Sequence, residues 1–296
     1  MSKLTLTLGL KGITDTDTPY LSIVIPMYNE EQRIGAALLK LLAYLARQDY
    51  SREIILVDDG GKDRGIAIAR EMLHGKENFR VVEYGANQGK GYALKQGILD
   101  SRGQLVLFTD ADLATPIGEL DKMLPWLVPN SEQITGYHIV QGSRKMPGAV
   151  LEKRQPWLRE NMGKVFTKLC NLLAQTNVTD ATCGFKCYQG PIARELYALQ
   201  QLSDWTFDAE VIFIARKRGY IIKEIPVRWH DERGTKVHLL RDSVRSFQGL
   251  LKIRLNYWRG LYLAYPSNAA FSRLANAPLL ETLSSFSEKT NLKEDK

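Results

Sequence analysis

Leu105-Val-Leu-Phe-Thr-Asp-Ala-Asp112 runs four apolar residues straight into two carboxylates one residue apart. A short apolar run with polar bounds suits a strand buried on both faces of a parallel sheet. The same unit recurs upstream: Leu21-Ser-Ile-Val-Ile-Pro26, Ile54-Ile-Leu-Val57 and Arg80-Val-Val-Glu-Tyr84 read as three more strands. Between them lie segments of helical spacing. Glu30 to Arg47 carries Ile34, Leu38, Leu41, Leu42 and Leu45 on one side, with Asn29 as its cap; Ile66 to Leu73 and Tyr92 to Ser101 follow. Four alternations predict an α/β fold, a Rossmann-like, mostly parallel central sheet with helices on both faces. Ligands in such sheets bind beyond the carboxyl ends of the strands. Three polar clusters follow those ends: Tyr28-Asn-Glu30, Asp58-Asp59 and Asp110-Ala-Asp112.

The second half is less regular. Ile139 to Ser143, Cys183 to Tyr188 and Ile221 to Trp229 read as strands, and 157–174 and Ala209 to Arg218 as helices. The chain of 296 residues divides into a flexible leader (1–18), a catalytic domain (19–238), an amphipathic helix (239–265) and a flexible, polar tail (266–296). An apolar fraction of 44% suits a folded enzyme. A net charge of +7 favours anionic partners without choosing among nucleic acid, phosphorylated substrates and anionic lipid. Aromatic-interleaved basic patches or a known nucleic-acid motif are not found, so no nucleic-acid partner is expected. Three cysteines, Cys170, Cys183 and Cys187, argue for buried thiols in a reducing compartment. The N-terminus lacks a signal-peptide pattern, and no apolar stretch is long enough to span a bilayer.

The chemistry concentrates at the strand ends. Asp110 and Asp112 can both face a strand-end crevice, where hard divalent cations take oxygen ligands and bridge to substrate phosphates; the bland alternative is an exposed turn. A carboxylate at Asp58-Asp-Gly-Gly61 can accept from a uracil N–H or a ribose hydroxyl, again unless it is a simple turn. Asn87-Gln-Gly-Lys-Gly91 puts Lys90 between glycines at a helix start, a place that suits phosphate. Arg144 follows a strand and offers bidentate phosphate binding; Arg154, Arg159, Arg233 and Lys236 add cations that are otherwise a solvated basic surface. Asp180, Asp208 and Glu210 are either site carboxylates or hydrogen-bonding groups of the fold. Trp205 and Trp229 are either sugar platforms or core.

Taken in order, Ile23-Val-Ile-Pro-Met-Tyr-Asn-Glu-Glu31, Val57-Asp-Asp-Gly60, Asn87-Gln-Gly-Lys-Gly91 and Thr109-Asp-Ala-Asp112 resemble the motifs of family 2 glycosyltransferases with the GT-A fold. Asp110-Ala-Asp-Leu-Ala-Thr-Pro116, Gln141-Gly-Ser-Arg144, Asp180-Ala-Thr-Cys-Gly-Phe-Lys186 and Phe207-Asp-Ala-Glu210 are similar to the dolichyl-phosphate β-glucosyltransferase branch. The resemblance implies an inverting, metal-dependent transfer of glucose from UDP-glucose to a polyprenyl phosphate. Pro26, Tyr28, Glu30, Asp58, Lys90, Asp110 and Ala111 would then bind the nucleotide sugar, and Asp110 and Asp112 would hold Mg²⁺ or Mn²⁺. Arg144, Arg154, Arg233 and Lys236 would meet the acceptor phosphate. Related mannosyl enzymes often carry Gln two places after the second aspartate; Ala114 stands there in this chain. The rival acceptors are a polysaccharide or a small alcohol, for which Asp208 would be the general base. A nucleotide-sugar-binding protein without transfer is the other alternative, against which the intact Asp110/Asp112 pair argues.

The last helix offers Leu240, Val244, Phe247, Leu251, Leu255, Trp258 and Tyr262 as one apolar stripe, beside Arg241, Arg245, Lys252 and Arg259. The stripe either packs on the domain or lies in a membrane interface. With a lipid-borne acceptor, the expected setting is peripheral, on the cytosolic face of a membrane.

Overall fold

The computed structural model describes residues 18–76, 78–128, 136–153, 157–230 and 239–263. The expected tail lies outside these, as does nearly all of the expected leader. Seven strands make one sheet: β1 (Leu21–Met27), β2 (Arg52–Asp58), β3 (Phe79–Glu83), β4 (Leu105–Thr109), β5 (Ile139–Ser143), β7 (Phe185–Gln189) and β8 (Ile222–Pro226). Their spatial order is β3-β2-β1-β4-β7-β5-β8. Strand β7 runs antiparallel to β4 and β5; the other pairs are parallel. A small parallel pair, β6 (Val150–Lys153) and β9 (Arg228–His230), stands apart.

The apolar runs are explained by burial on both faces. Alternate residues enter different cores: Val24, Ile55, Val57, Val106 and Phe108 point one way, and Ile23, Ile25, Leu56, Leu105 and Leu107 the other. The first core is covered by α3 (Lys90–Asp100), α5 (Trp157–Leu173), α6 (Gly190–Leu199), α7 (Phe207–Lys217) and α8 (Leu239–Trp258). The second is covered by α1 (Ile34–Leu45), α2 (Gly65–Leu73), a 3₁₀ turn (Ile117–Lys122) and α4 (Leu124–Leu127). The three cysteines are free and buried within these cores.

Several expectations need correction. Asn29 does not cap α1. It sits at φ 53°, and its Oδ1 accepts from Lys62 N at 2.7 Å, tying the β1 end to the β2 end. The run Ile221 to Trp229 is two strands: Val227 leaves the β8 ladder, and Arg228 then pairs with Val150 in β6. Helix α6 was not among the expected elements; it opens on Gly190-Pro191, and proline in a first turn suits a helix start.

The chain reverses its lateral course between β1 and β4. After β1 it builds outward through β2 and β3, then returns to place β4 on the other side. Such a switch point opens a crevice at the carboxyl ends of the strands. Because β7 is antiparallel, its amino end reaches that same edge: Phe185 stands opposite Thr109. Residues 180–184 therefore meet the aspartates that follow β4.

Candidate active site

Asp110 and Asp112 leave β4 in a tight turn. Leu113 N donates to the Asp110 carbonyl at 3.1 Å, and Leu113 sits at φ 49°, a region unfavourable to a branched side chain. Ala114 N donates to Asp112 Oδ1 at 3.1 Å. The turn is thus over-determined, and both carboxylates stay at the mouth, half-buried, with Ala111 closed beneath them. Burial, and next the charge of Asp110, lift the Asp112 carboxyl above its ordinary pKa.

Two cations answer the pair. Lys90 Nζ lies 2.5 Å from Asp110 Oδ1, and Arg33 Nη1 lies 3.5 Å from Asp112 Oδ2. Arg33 also grips Glu30, donating from Nε to Oε2 at 2.8 Å and from Nη2 to Oε1 at 2.9 Å. Glu30 therefore positions Arg33 on Asp112. Burial would lower the Lys90 pKa, but Asp110 and Asp208 outweigh it and hold the ammonium. Lys90 is flanked by two rings, Phe108 at 5.2 Å and Trp205 at 5.4 Å from centroid to Nζ. Trp205 is 40% exposed, so it forms wall rather than core.

Lys186 is buried behind this layer, ion-paired with Asp208 and donating to the Ala181 carbonyl at 3.1 Å. Asp208 is 5% exposed, and burial raises its pKa against the pull of Lys186 and Lys90. A group so enclosed positions its neighbours; it does not meet an acceptor hydroxyl as the general base the sequence reading entertained.

The tandem Asp58-Asp59 divides its work. Asp59 is 3% exposed and accepts from Tyr84 Oη (2.9 Å), Asn87 Nδ2 (2.8 Å), Gln88 N (2.7 Å) and Gly89 N (3.0 Å). Asp58 remains half-buried at the β2 end and accepts from Gly61 N at 3.0 Å. The loop before α3 is correspondingly spoken for: Gly91 N donates to Ser203 O at 2.9 Å. Gly89 adopts φ 101°, and a Cβ there would lie 2.5 Å from Ser203 O. The amides at Gln88, Gly89 and Gly91 are thus not the phosphate cradle expected from the glycines. Lys90 is what the motif delivers to the site. Pro26 is half-buried and Tyr28 exposed at the β1 end, on the same mouth.

On the other flank, Arg144 follows β5 and is clamped by Asp180. Nε reaches Oδ2 at 2.7 Å, Nη2 reaches Oδ1 at 2.9 Å, and Arg144 N adds a third bond at 3.1 Å. Lys145 Nζ lies 3.6 Å from Asp180 Oδ1. Burial opposes ionisation of Asp180, but Arg144 and Lys145 overcome it and hold the carboxyl well below the usual range. The guanidinium stacks 5.4 Å from the Trp229 ring, which is 9% exposed and so a support rather than a sugar platform. Gly184 borders the aspartates directly: a Cβ on it would sit 2.0 Å from Asp110 Oδ2. Glu210 is not part of the site; it accepts from Gln201 N, Leu202 N and Tyr262 Oη. Arg154, Arg233 and Lys236, and the side chain of Arg159, lie outside the described residues.

Sequence reasoning missed Arg33, Gly184 and Lys186 as builders of this site, and it did not separate the buried Asp59 from Asp58. Only Arg33, three residues after Glu30 at a helix start, left a local signal. The other partnerships span 22 residues or more of chain.

Comparisons with known proteins agree with the geometry. The profile of glycosyl transferase family 2 matches residues 22–196. Human dolichyl-phosphate beta-glucosyltransferase is 33% identical over 267 residues, covering 86% of this chain and 80% of its own. The Saccharomyces cerevisiae protein of that name is 30% identical over 260 residues, covering 84% and 78%. Among solved structures, Mycobacterium tuberculosis glucosyl-3-phosphoglycerate synthase in complex with UDP matches with a TM-score of 0.56 at 20% identity, over 79% of this chain and 80% of that one. Rubrobacter xylanophilus mannosyl-3-phosphoglycerate synthase gives 0.58 at 21%, over 81% and 74%. These structural matches establish the GT-A fold expected from the motifs, and with the profile and the sequence relatives they place the chain in glycosyl transferase family 2.

Proposed function

We propose that this glycosyltransferase moves glucose from UDP-glucose to a polyprenyl phosphate, with inversion, at the cytosolic face of a membrane. The observation that carries the reading is the Asp110/Asp112 pair at the switch point, held by Lys90 and Arg33 and walled by Trp205. The names of the sequence relatives supply the acceptor class and the sugar. A related structure holds Mn²⁺ with UDP.

The pair suits a hard divalent cation. Its donors are all oxygen, and burial, followed by the neighbouring charge of Asp110, lifts Asp112. No cluster of three or more possible ligands occurs among the described residues. Mg²⁺ or Mn²⁺ would keep positions for water and diphosphate, and Ala114 adds no ligand. Asp112 would be the principal ligand, with Asp110 beside it. When bound there, the cation supplies neutralisation of the charge on the departing diphosphate.

Everything else falls to the chain. Asp58, Pro26 and Tyr28 border the uridine, and Asp58 accepts from it. Lys90 offsets phosphate charge. Arg144, oriented by Asp180, uses its remaining Nη1 edge on the acceptor phosphate, and Arg154, Arg233 and Lys236 reinforce it. A phosphate oxygen of the acceptor attacks the anomeric carbon from the face opposite the leaving group. The bond from that carbon to the UDP oxygen breaks, and UDP leaves with the electron pair. The nucleophile is already ionised near neutral pH, so positioning replaces a general base. The test is UDP release from UDP-glucose with Mg²⁺ or Mn²⁺, with and without a polyprenyl phosphate in detergent. Release that needs both, with glucose recovered on the lipid, supports the proposal; release indifferent to the lipid overturns the acceptor.

A further inference from the structure

Helix α8 has two apolar faces, and among the described residues only one is packed against the fold. Leu250 and Ile253 are fully buried, and Gly249 lets the helix approach Thr206 so closely that a Cβ would lie 2.3 Å from Thr206 Oγ1. The opposite side carries Phe247 (45% exposed), Leu251 (48%), Leu255 (40%) and Trp258 (73%). At 100° per residue that stripe is centred about 150° around the axis from the buried face. Leu261 and Leu263 extend it into the following turn. Six of the fourteen exposed large apolar side chains among the described residues thus fall within 247–263, a concentration that isolated surface leucines do not show. Tyr262, assigned to this stripe from the sequence, belongs instead to the buried side, where it donates to Glu210 at 2.6 Å.

The charges flanking the stripe choose its occupant. Arg245, Lys252 and Arg259 are exposed along one border, and Arg254 stands on the other, its guanidinium 5.8 Å from the Trp258 ring. Residues 239–263 hold five basic side chains against one acid, Asp242. No helix among the described residues is long and apolar enough to cross a membrane. An apolar stripe with a terminal tryptophan and basic borders fits the boundary between acyl chains and anionic headgroups, with the long basic stems reaching outward. We propose that α8 and its following turn dock the protein in the plane of an anionic lipid bilayer through Phe247, Leu251, Leu255, Trp258 and Leu261. The inference deepens the reading above and rests on it for purpose: an acceptor phosphate anchored in a bilayer is met by an enzyme held on that surface.

The test is flotation of the full-length protein with phosphatidylcholine vesicles and with vesicles containing about a third phosphatidylserine. The expected result is binding to the anionic vesicles that weakens with added salt. Phe247→Ser/Leu251→Ser/Leu255→Ser lowers the partition coefficient about a hundredfold. Arg245→Gln/Lys252→Gln lowers it about fivefold per charge. Because all five side chains are exposed, the unfolding temperature is unchanged in both variants. Absence of wild-type binding overturns the proposal. If the stripe then mediates self-association in sedimentation, its occupant is a second copy; if the protein is monomeric and cysteines introduced on the stripe resist labelling, the occupant is its own segment 264–296. Transfer to a short, water-soluble polyprenyl phosphate, measured without vesicles, separates the two readings. It persists in the triple variant if docking alone was lost. Wild type that floats but transfers to no lipid phosphate keeps the docking face and refutes the acceptor.

Discussion

Replacing Arg144 by alanine should destabilise the fold as well as disturb the acceptor. The guanidinium contributes two hydrogen bonds, at 2.7 and 2.9 Å, to an Asp180 side chain with no solvent exposure. Removing one partner of a buried ion pair costs about 3–5 kcal/mol, because the other charge stays buried and uncompensated. Some compensation survives here: the residue-144 amide, at 3.1 Å, and Lys145, at 3.6 Å, remain on Asp180. A loss of about 2–4 kcal/mol is therefore expected, or roughly 5–15 °C in Tm for a chain of this size. The pair should also be tested as a cycle. Asp180→Asn added to Arg144→Ala removes the stranded charge and should recover about half of the loss. The sign with pH follows from the depressed Asp180 carboxyl. The pair's contribution is present above the unfolded value near 4 and is lost only as pH falls through the lower folded value. The assay is urea and thermal unfolding of the two single variants and the double at pH 7.5. An Arg144→Ala protein with wild-type Tm and urea midpoint would refute the structural role and leave Arg144 as an acceptor contact alone.

Three other outcomes follow from the site. Asp112→Asn should lower turnover by about 10²–10³-fold or more and weaken activation by Mn²⁺, with the fold retained, read from a metal titration of UDP release. Gly184→Ala pushes a methyl group into the space of Asp110 Oδ2; turnover should fall about a hundredfold while Tm moves little, a split that distinguishes a displaced carboxylate from a damaged fold. Burial lifts Glu210 to about 6 against the donors that ionisation satisfies. Its neutral form is favoured in the fold, so the stability it confers is full below about 4.5 and lost as pH rises to about 6, a change of about 2 kcal/mol. Glu210→Gln should therefore gain on wild type by about that amount between pH 4.5 and 7 in urea titrations; a pH-independent difference would show that Glu210 does not titrate there.

What the sequence disclosed and what it withheld have separate physical causes. Strands β1, β2 and β4 were legible because both faces are buried, so their apolar runs admit no polar interruption beyond Ser22. Ser22 itself is buried, donating to Glu53 at 2.5 Å. The carboxylates after β4 were legible because strand order, not sequence distance, puts strand ends at a switch point. Helix α8 shows the limit of periodicity. Its apolar residues occupy two opposite faces, and spacing alone cannot say which one the domain takes. The answer lies in Gly249 against Thr206, a close approach between residues 43 apart in sequence. Asn29 was misread for a related reason: a residue before a helix is a cap only if its oxygen turns inward, and here Lys62 N takes it.

The charge network, invisible in the sequence, constrains the reaction more than any single motif. Glu30, Asp110, Asp112, Asp180 and Asp208 are matched by Arg33, Lys90, Arg144, Lys145 and Lys186. Five charges of each sign leave this ion-pair network close to neutral, with Asp58 and Asp59 outside it. A divalent cation arriving with a diphosphate donor adds no net charge, so the exchange stays local: Asp110 and Asp112 would turn to the cation, and Lys90 would be released to the phosphates. The acceptor phosphate is different. It brings between one and two further negative charges near neutral pH, more than the one surplus cation that Arg144 and Lys145 together leave over Asp180 can offset. The rest of its compensation has to come from outside the matched set. Arg154 follows β6, and Arg233 and Lys236 follow β9, and these two strands pair with each other beside the Arg144 flank. Neutralising Arg233 and Lys236 together should therefore raise the acceptor KM and leave the UDP-glucose KM and the unfolding temperature unchanged. Equal loss for donor and acceptor would mean that the matched network itself carries both substrates.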